Sequence, residues 1–137
     1  MPGSLIQGTS IPALEEVIRF TQSRHALLAG NIANLDTPDY RVRDLSPEVF
    51  EQRLRQALDV QHRYHEPVTP GLAEVPDNDP MREVRESVKS ILYHDGSDVG
   101  LEQQVLQMTN NQLMHNLAIS IMSSQFRLLQ TAISERV

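Results

Sequence analysis

The sequence predicts a mainly α-helical protein: long N- and C-terminal helices paired as an antiparallel coiled coil, a short middle helix, and a central segment that is extended or partly disordered. Three observations carry this. Apolar residues fall at alternating steps of three and four over 11–35 and again over 101–133, the period of a narrow helix seam facing another helix. No proline or glycine interrupts residues 101–137. Pro67, Pro70, Pro76 and Pro80 stand among charges in 59–97, where no period is sustained.

Taken in order, residues 1–10 read as a flexible N-terminus and 11–35 as the first long helix. Its seam is Ile11, Leu14, Ile18, Leu28, Ile32 and Leu35, with Thr21 and His25 in the two remaining places. Ser10 before Pro12 suits a capped start, and Glu15 and Glu16 suit the positive end of the helix dipole. Residues 36–45 form a turn. Pro38 disfavours helical backbone at Thr37, and the Asn and Asp side chains can bond local backbone groups. The small residues Ala29, Gly30 and Ala33 leave room for another backbone to approach.

A middle helix is expected over 46–58, with Ser46 as N-cap, Pro47 at the first helical position and Glu48 next. Its short apolar face is Val49, Phe50, Leu54, Ala57 and Leu58. Residues 59–97 read as extended chain, with short strands near Val84–Tyr93, and DGSD at 95–98 turns into a last helix over 98–137.

That last helix carries the seam Leu101, Val105, Met108, Ile119, Met122, Phe126, Leu129 and Ile133, with Gln112 and His115 filling the gap. Thirty-five residues of helix reach about 52 Å, whereas a compact domain of this length has a radius of gyration of roughly 14 Å. Beside the seam runs a second stripe, Leu106, Leu113, Leu117, Ile121 and Leu128. One antiparallel partner covers one seam; two adjoining stripes need more neighbours. The chain under-supplies its own core, and assembly is the remedy.

Function classes narrow accordingly. A formal net charge of −6 gives no footprint for nucleic acid or an anionic membrane. The absence of cysteine removes disulfides and thiolate metal sites. No apolar run is long enough to span a bilayer, and MPGSLIQGTSIP lacks the features of a cleavable signal. His62 and His65 share the three-residue spacing of HRYH, which is weak evidence for a metal, and they read as a solvated loop. DND at 77–79 lacks the glycine and distal glutamate of a calcium loop. Met108, Met114 and Met122 read as packing residues. No phosphate loop, nucleophile elbow or convergent carboxylate pair is present. The reading is therefore no enzyme, no cofactor and no metal. The competing class is a stand-alone helical adaptor whose seams take up one partner helix.

The stretch LLAGNIANLDTPDYRVRD at 27–44 resembles the N-terminal signature of bacterial flagellar rod and hook proteins. There a helix rich in small residues runs into Asn-x-Ala-Asn and then Thr-Pro-Gly-Tyr. The matching residues are Asn31, Ile32, Ala33, Asn34, Asp36, Thr37, Pro38 and Tyr40, and Arg43 and Asp44 continue the proximal-rod variety. The C-terminal part, DGSDVGLEQQVLQMTNNQLMHNLAISIMSSQFRLLQTAI, resembles the same family; a neighbouring rod protein shares only the N-terminal signature. Asp39 stands where the family has glycine, so a positive φ there is less easily reached. Ser97, Asp98 and Gly100 replace the more usual Asn, Asn and Asp.

The resemblance implies a structural subunit of the proximal rod in the flagellar basal body, within the periplasm. It implies partners among other rod subunits, both copies of itself and homologues, and at the base of the rod and its export apparatus. It also implies export through the flagellar type III route without a cleavable signal. If Leu35 and Leu101 lie level in an antiparallel pair, Thr21 comes opposite His115 and His25 close to Gln112. These four then form one polar layer that sets register, because mispairing would strand polar groups against leucine at roughly 1–3 kcal/mol each.

Overall fold

The computed structural model describes residues 9–65, 79–90, 93–94 and 100–135. Among them the chain forms α1 (Ile11–Ala33), β1 (Arg43–Asp44), α2 (Pro47–His65), α3 (Pro80–Ser90), β2 (Tyr93–His94) and α4 (Leu101–Ser134). The two strands pair antiparallel, Arg43 against His94 and Asp44 against Tyr93.

Pro12 lies in the first turn of α1, where its missing N–H is no loss. Ser10 makes no side-chain cap; the Thr9 hydroxyl accepts from the Ile11 N–H at 3.4 Å instead. Glu15 and Glu16 fall beyond the first turn and serve other ends. Glu15 pairs with Arg19 in solvent, and Glu16 turns inward. The helix closes at Ala33, two residues before the expected Leu35. The Asn34 N–H reaches the carbonyls of Gly30 and Asn31, and the Asn34 side-chain amide also donates to the Gly30 carbonyl at 2.8 Å.

The compact core lies on one side of α1. Phe20, Leu45, Phe50, Ala57, Met81 and Val84 are buried together, with Val17, Leu27, Leu54, Leu58 and Val88 packed around them. Phe20 and Phe50 stack with ring centroids 4.2 Å apart, fixing α2 against α1. Helices α2 and α3 pack on each other and on α1. Helix α4 packs on α1 and on no other described helix.

Residues 59–97 differ from the expected extended chain. Helix α2 continues to His65, so HRYH is a helix end rather than a loop, and His62 donates from Nδ1 to the Leu58 carbonyl at 2.7 Å. Helix α3 occupies most of the stretch expected as strands. Its signal is local: Asp79 accepts from the Met81 N–H at 3.1 Å, and Pro80 opens the helix instead of breaking one. Met81, Val84 and Val88, spaced by three and four, then face the core. Among the described residues of that stretch, Tyr93–His94 is strand. The expected DGSD turn and residues 66–78 lie outside the described residues.

Candidate functional site

The contact between α1 and α4 is a line of polar rungs. Asn31 donates from Nδ2 to Gln104 Oε1 at 3.1 Å. Arg24 donates from Nη2 to Gln107 Oε1 at 2.8 Å. Asn111 donates from Nδ2 to the Thr21 carbonyl at 2.7 Å, and the Thr21 hydroxyl meets His115 Nδ1 at 2.8 Å. That hydroxyl also lies 2.9 Å from the carbonyls of Val17 and Ile18, which can only accept. Its one proton therefore goes to the backbone, and His115 donates from Nδ1. As positions rise on α1, their partners fall on α4.

Asn31 anchors this line at its lower end. It is fully buried, and all its bonding capacity is used. Besides Gln104, its amide donates to the Arg43 carbonyl at 2.6 Å, while its Oδ1 accepts from the Tyr40 hydroxyl and the Arg43 N–H. One side chain thus joins α1, the turn after it, β1 and α4. Arg24 does similar work one to two turns away. Its guanidinium grips Asp44 with two bonds, Nε to Oδ1 at 2.8 Å and Nη2 to Oδ2 at 2.7 Å, while also holding Gln107.

The turn is built on Asn34, Thr37 and Tyr40. The Thr37 N–H donates to the Asn34 carbonyl and the Tyr40 N–H to the Thr37 carbonyl. Pro38 and Asp39 are the central residues of the second turn, and Asp39 has φ 62°. A positive φ at the third residue is the geometry that favours glycine. Asp39 adopts it nonetheless, as Asp tolerates this region better than most side chains. Within the chain the atom facing Gly30 is the Tyr40 hydroxyl, 3.8 Å from where a Cβ would stand. Ala33, Asp36, Thr37 and Pro38 are exposed.

The seams fall differently from the sequence expectation. On α1, Leu28 is fully buried, while Leu14, Ile18, Ile32 and Leu35 are half-buried. On α4 the buried residues are Gln104, Asn111 and Ala118, one every seven positions. Met108, His115, Met122 and Leu129 flank them, half-buried. Leu101, Val105, Ile119, Phe126 and Ile133, expected in the seam, are exposed, and so is the whole second stripe of Leu106, Leu113, Leu117, Ile121 and Leu128. The helix turns its amides toward α1 and its leucines outward. Of the polar layer, Thr21 meets His115; His25 and Gln112 line the same small cleft, but Gln112 bonds Asn116.

Sequence reasoning missed Arg24, Gln104, Gln107 and Asn111, and reached Asp44 only as part of the family signature. The seven-residue spacing of Gln104, Asn111 and Ala118 was the available signal.

Helix α4 is also longer than its partner, 34 residues against 23. With Asn31 beside Gln104 near the start of α4, the excess of about eleven residues projects at the C-terminal end, about 16 Å of helix. Leu128, 68% exposed, and Ile133, 67% exposed, lie on that projection.

No family model matches the sequence. The chain is 29% identical over 129 residues to the flagellar basal body rod protein FlgB of Escherichia coli (strain K12), across 82% of this chain and 84% of that protein. It is 22% identical over 134 residues to the FlgB of Bacillus subtilis (strain 168), across 96% and 97%. A shorter match of 31 residues is 55% identical to the FlgB of Aquifex aeolicus (strain VF5), covering 23% of this chain. Long helices with an uncovered apolar face, and homologues that are rod proteins, indicate a structural subunit of the flagellar basal body rod. Within that class the chain is FlgB-like, with the resemblance running over most of its length.

Proposed function

We propose that this protein builds the proximal part of the rod, the shaft that carries motor torque, with α1 and α4 paired antiparallel as its packing unit. The opposite order of the rungs on the two helices supports that pairing. The observation that carries the proposal is the inverted burial of α4: amides inside the chain, leucines outside it. Burying apolar surface is the main force in association, so the leucine face belongs against other rod subunits, copies or homologues. The base of the rod and its export apparatus would be the remaining partners, and export through the flagellar type III route would need no cleavable signal.

The polar rungs suit a shaft under torque. A buried hydrogen bond contributes only about 1 kcal/mol net, but a broken one costs about 1–3 kcal/mol per stranded group. A slip of one turn would break several rungs together. The rungs made by Thr21, Arg24 and Asn31 with His115, Asn111, Gln107 and Gln104 thus resist sliding more than they add stability.

The chain contains no cysteine, so Leu128→Cys introduces a single thiol on the uncovered stripe. In purified basal bodies, a maleimide–benzophenone reagent carried on that thiol should photo-cross-link this subunit to a neighbouring rod protein, while dilute monomer stays unlinked. Basal bodies that assemble with the thiol freely alkylated and never cross-linked would contradict the reading.

A further inference from the structure

The rungs between α1 and α4 fix where the two helices stop matching. Asn31 meets Gln104, and Thr21 meets Asn111 and His115. Carried on at the same rise per residue, this register sets Ile11, the first residue of α1, level with about residue 123 of α4. The side of α4 that faces α1 does not end there. Leu129 lies about three turns beyond the buried Ala118, hence on the same bearing, with Met122 and Ile133 beside it. This stretch continues the line of α1. It is distinct from the second stripe, since Leu128 points roughly 100° away from Leu129.

The chain that leads into α1 is placed to enter that line. Residues 1–8 are joined to Thr9 at the edge of the uncovered stretch, an attachment that gives an effective concentration of roughly millimolar order. Any neighbour competing for the line must displace chain already held there. Extended backbone covers about 3.3 Å per residue, so Leu5, six residues before Ile11, reaches up to about 20 Å along the projection. Leu129 and Ile133 lie about 9 and 15 Å along it. Residues 1–14, MPGSLIQGTSIPAL, hold no charged side chain and no histidine, and Leu5 and Ile6 form an apolar pair. Arg127, the one charged side chain between Ile119 and Ser134, points roughly 160° away from Leu129.

We propose that in the assembled rod residues 1–8 of each chain lie along the projecting end of its own α4, with Leu5 and Ile6 against Leu129 and Ile133. The segment thereby completes the antiparallel pair where α1 stops. This rests on the rod reading. In dilute monomer the projecting turns are marginal, and so short a segment does not hold them.

The chain has no cysteine, so paired thiols report the contact. Leu5→Cys is combined with Leu129→Cys or, as the comparison, with Thr131→Cys, two residues further along α4 and roughly 160° around it. Basal bodies carrying each variant are oxidised, and linked peptides are quantified in the band of single-chain mass on a non-reducing gel. The 5–129 pair should link within one chain about tenfold more than the 5–131 pair, because docking raises the local concentration on one face only. Ile6→Cys with Ile133→Cys, against Ile6→Cys with Thr131→Cys, gives the same comparison if the first pair blocks assembly. Equal linking on both faces, or no link, would overturn the proposal. A link found only at twice the chain mass would also overturn it, assigning the stretch to a neighbouring subunit. These failures leave the subunit in the basal body; absence of the unmodified chain from basal bodies would overturn the rod reading and this proposal with it.

Discussion

The two ends of α4 are written in the same kind of sequence and meet different fates. Its first half, from Gln104 to Ala118, is tied to α1 by side-chain bonds, with Asn31 and Arg24 locking turn, strand and helix together. Its second half, beyond Ile119, carries Phe126, Leu128 and Ile133 into solvent. Between Glu102 and Arg127 the helix has no Asp, Glu, Lys or Arg to oppose close packing. Both halves hold apolar surface in reserve, Leu106, Leu113 and Leu117 in the first as much as Phe126 and Leu128 in the second, but only the first half also specifies geometry through polar bonds to α1. A monomer satisfies only those bonds.

The contrast is broken most severely by a charge on the reserved face. Phe126→Glu or Ile119→Asp should leave the melting curve of the monomer within about 0.5 kcal/mol of the parent, since both residues are exposed there. The same changes should abolish rod assembly and motility, because the charge would be buried without a partner. Swimming assays beside thermal melts separate the two effects. Removing His62 and His65 together should do little to motility.

The locked region is sharpened by Asn31→Ala. Four hydrogen bonds are lost and the Arg43 backbone is left unsatisfied, so unfolding free energy should drop by about 3 kcal/mol in urea titration. A loss under about 1 kcal/mol would show that the turn is held by something else.

A smaller effect concerns the joint of α1 and α3. Burial, opposed by the Arg85 hydrogen bond and charge, holds the Glu16 carboxyl above its ordinary range. The folded state then binds a proton more tightly than the unfolded state. This contribution to stability is present at pH values below the unfolded pKa and is lost as pH rises through the raised folded value. Glu16→Gln should remove that dependence, gaining on the parent as pH increases and not at acid pH. Glu48, held low chiefly by the Ser46 hydroxyl, acts in the opposite direction in both proteins and cancels in the comparison.

Least is expected from Asp39→Gly. Glycine relieves the positive φ but gives the unfolded chain more freedom, so the net gain should be at most about 1 kcal/mol. A clear loss would mean that the Asp39 side chain supports the turn.

The sequence showed where the long helices lie better than which way they face. The three-and-four spacing located α1 and α4 to within a few residues, and Ser46 with Pro47 marked the start of α2. The second stripe is uncovered in the chain, as two adjoining stripes require, but the first seam is turned outward as well at Leu101, Val105, Ile119, Phe126 and Ile133. In α4 the apolar face is the uncovered one, and the intrachain contact uses Gln104, Asn111 and Ala118. Helix α3 was hidden because eleven residues give little period and Pro80 counts as a breaker until Asp79 is seen capping it. The Asn31 signature was legible as a residue type. Its reach to Arg43 and Gln104 needed the fold, since Gln104 is 73 positions away.

Hydrogen exchange on dilute, demonstrated monomer and on assembled rods tests the central claim most directly. Helices with too little partner surface are marginal alone. Amides beyond Ile119 should exchange quickly in the monomer, those of α1 and of α4 up to Ala118 more slowly, and the fast ones should become strongly protected in rods. Strong protection beyond Ile119 in the monomer would contradict the claim that assembly supplies the missing core.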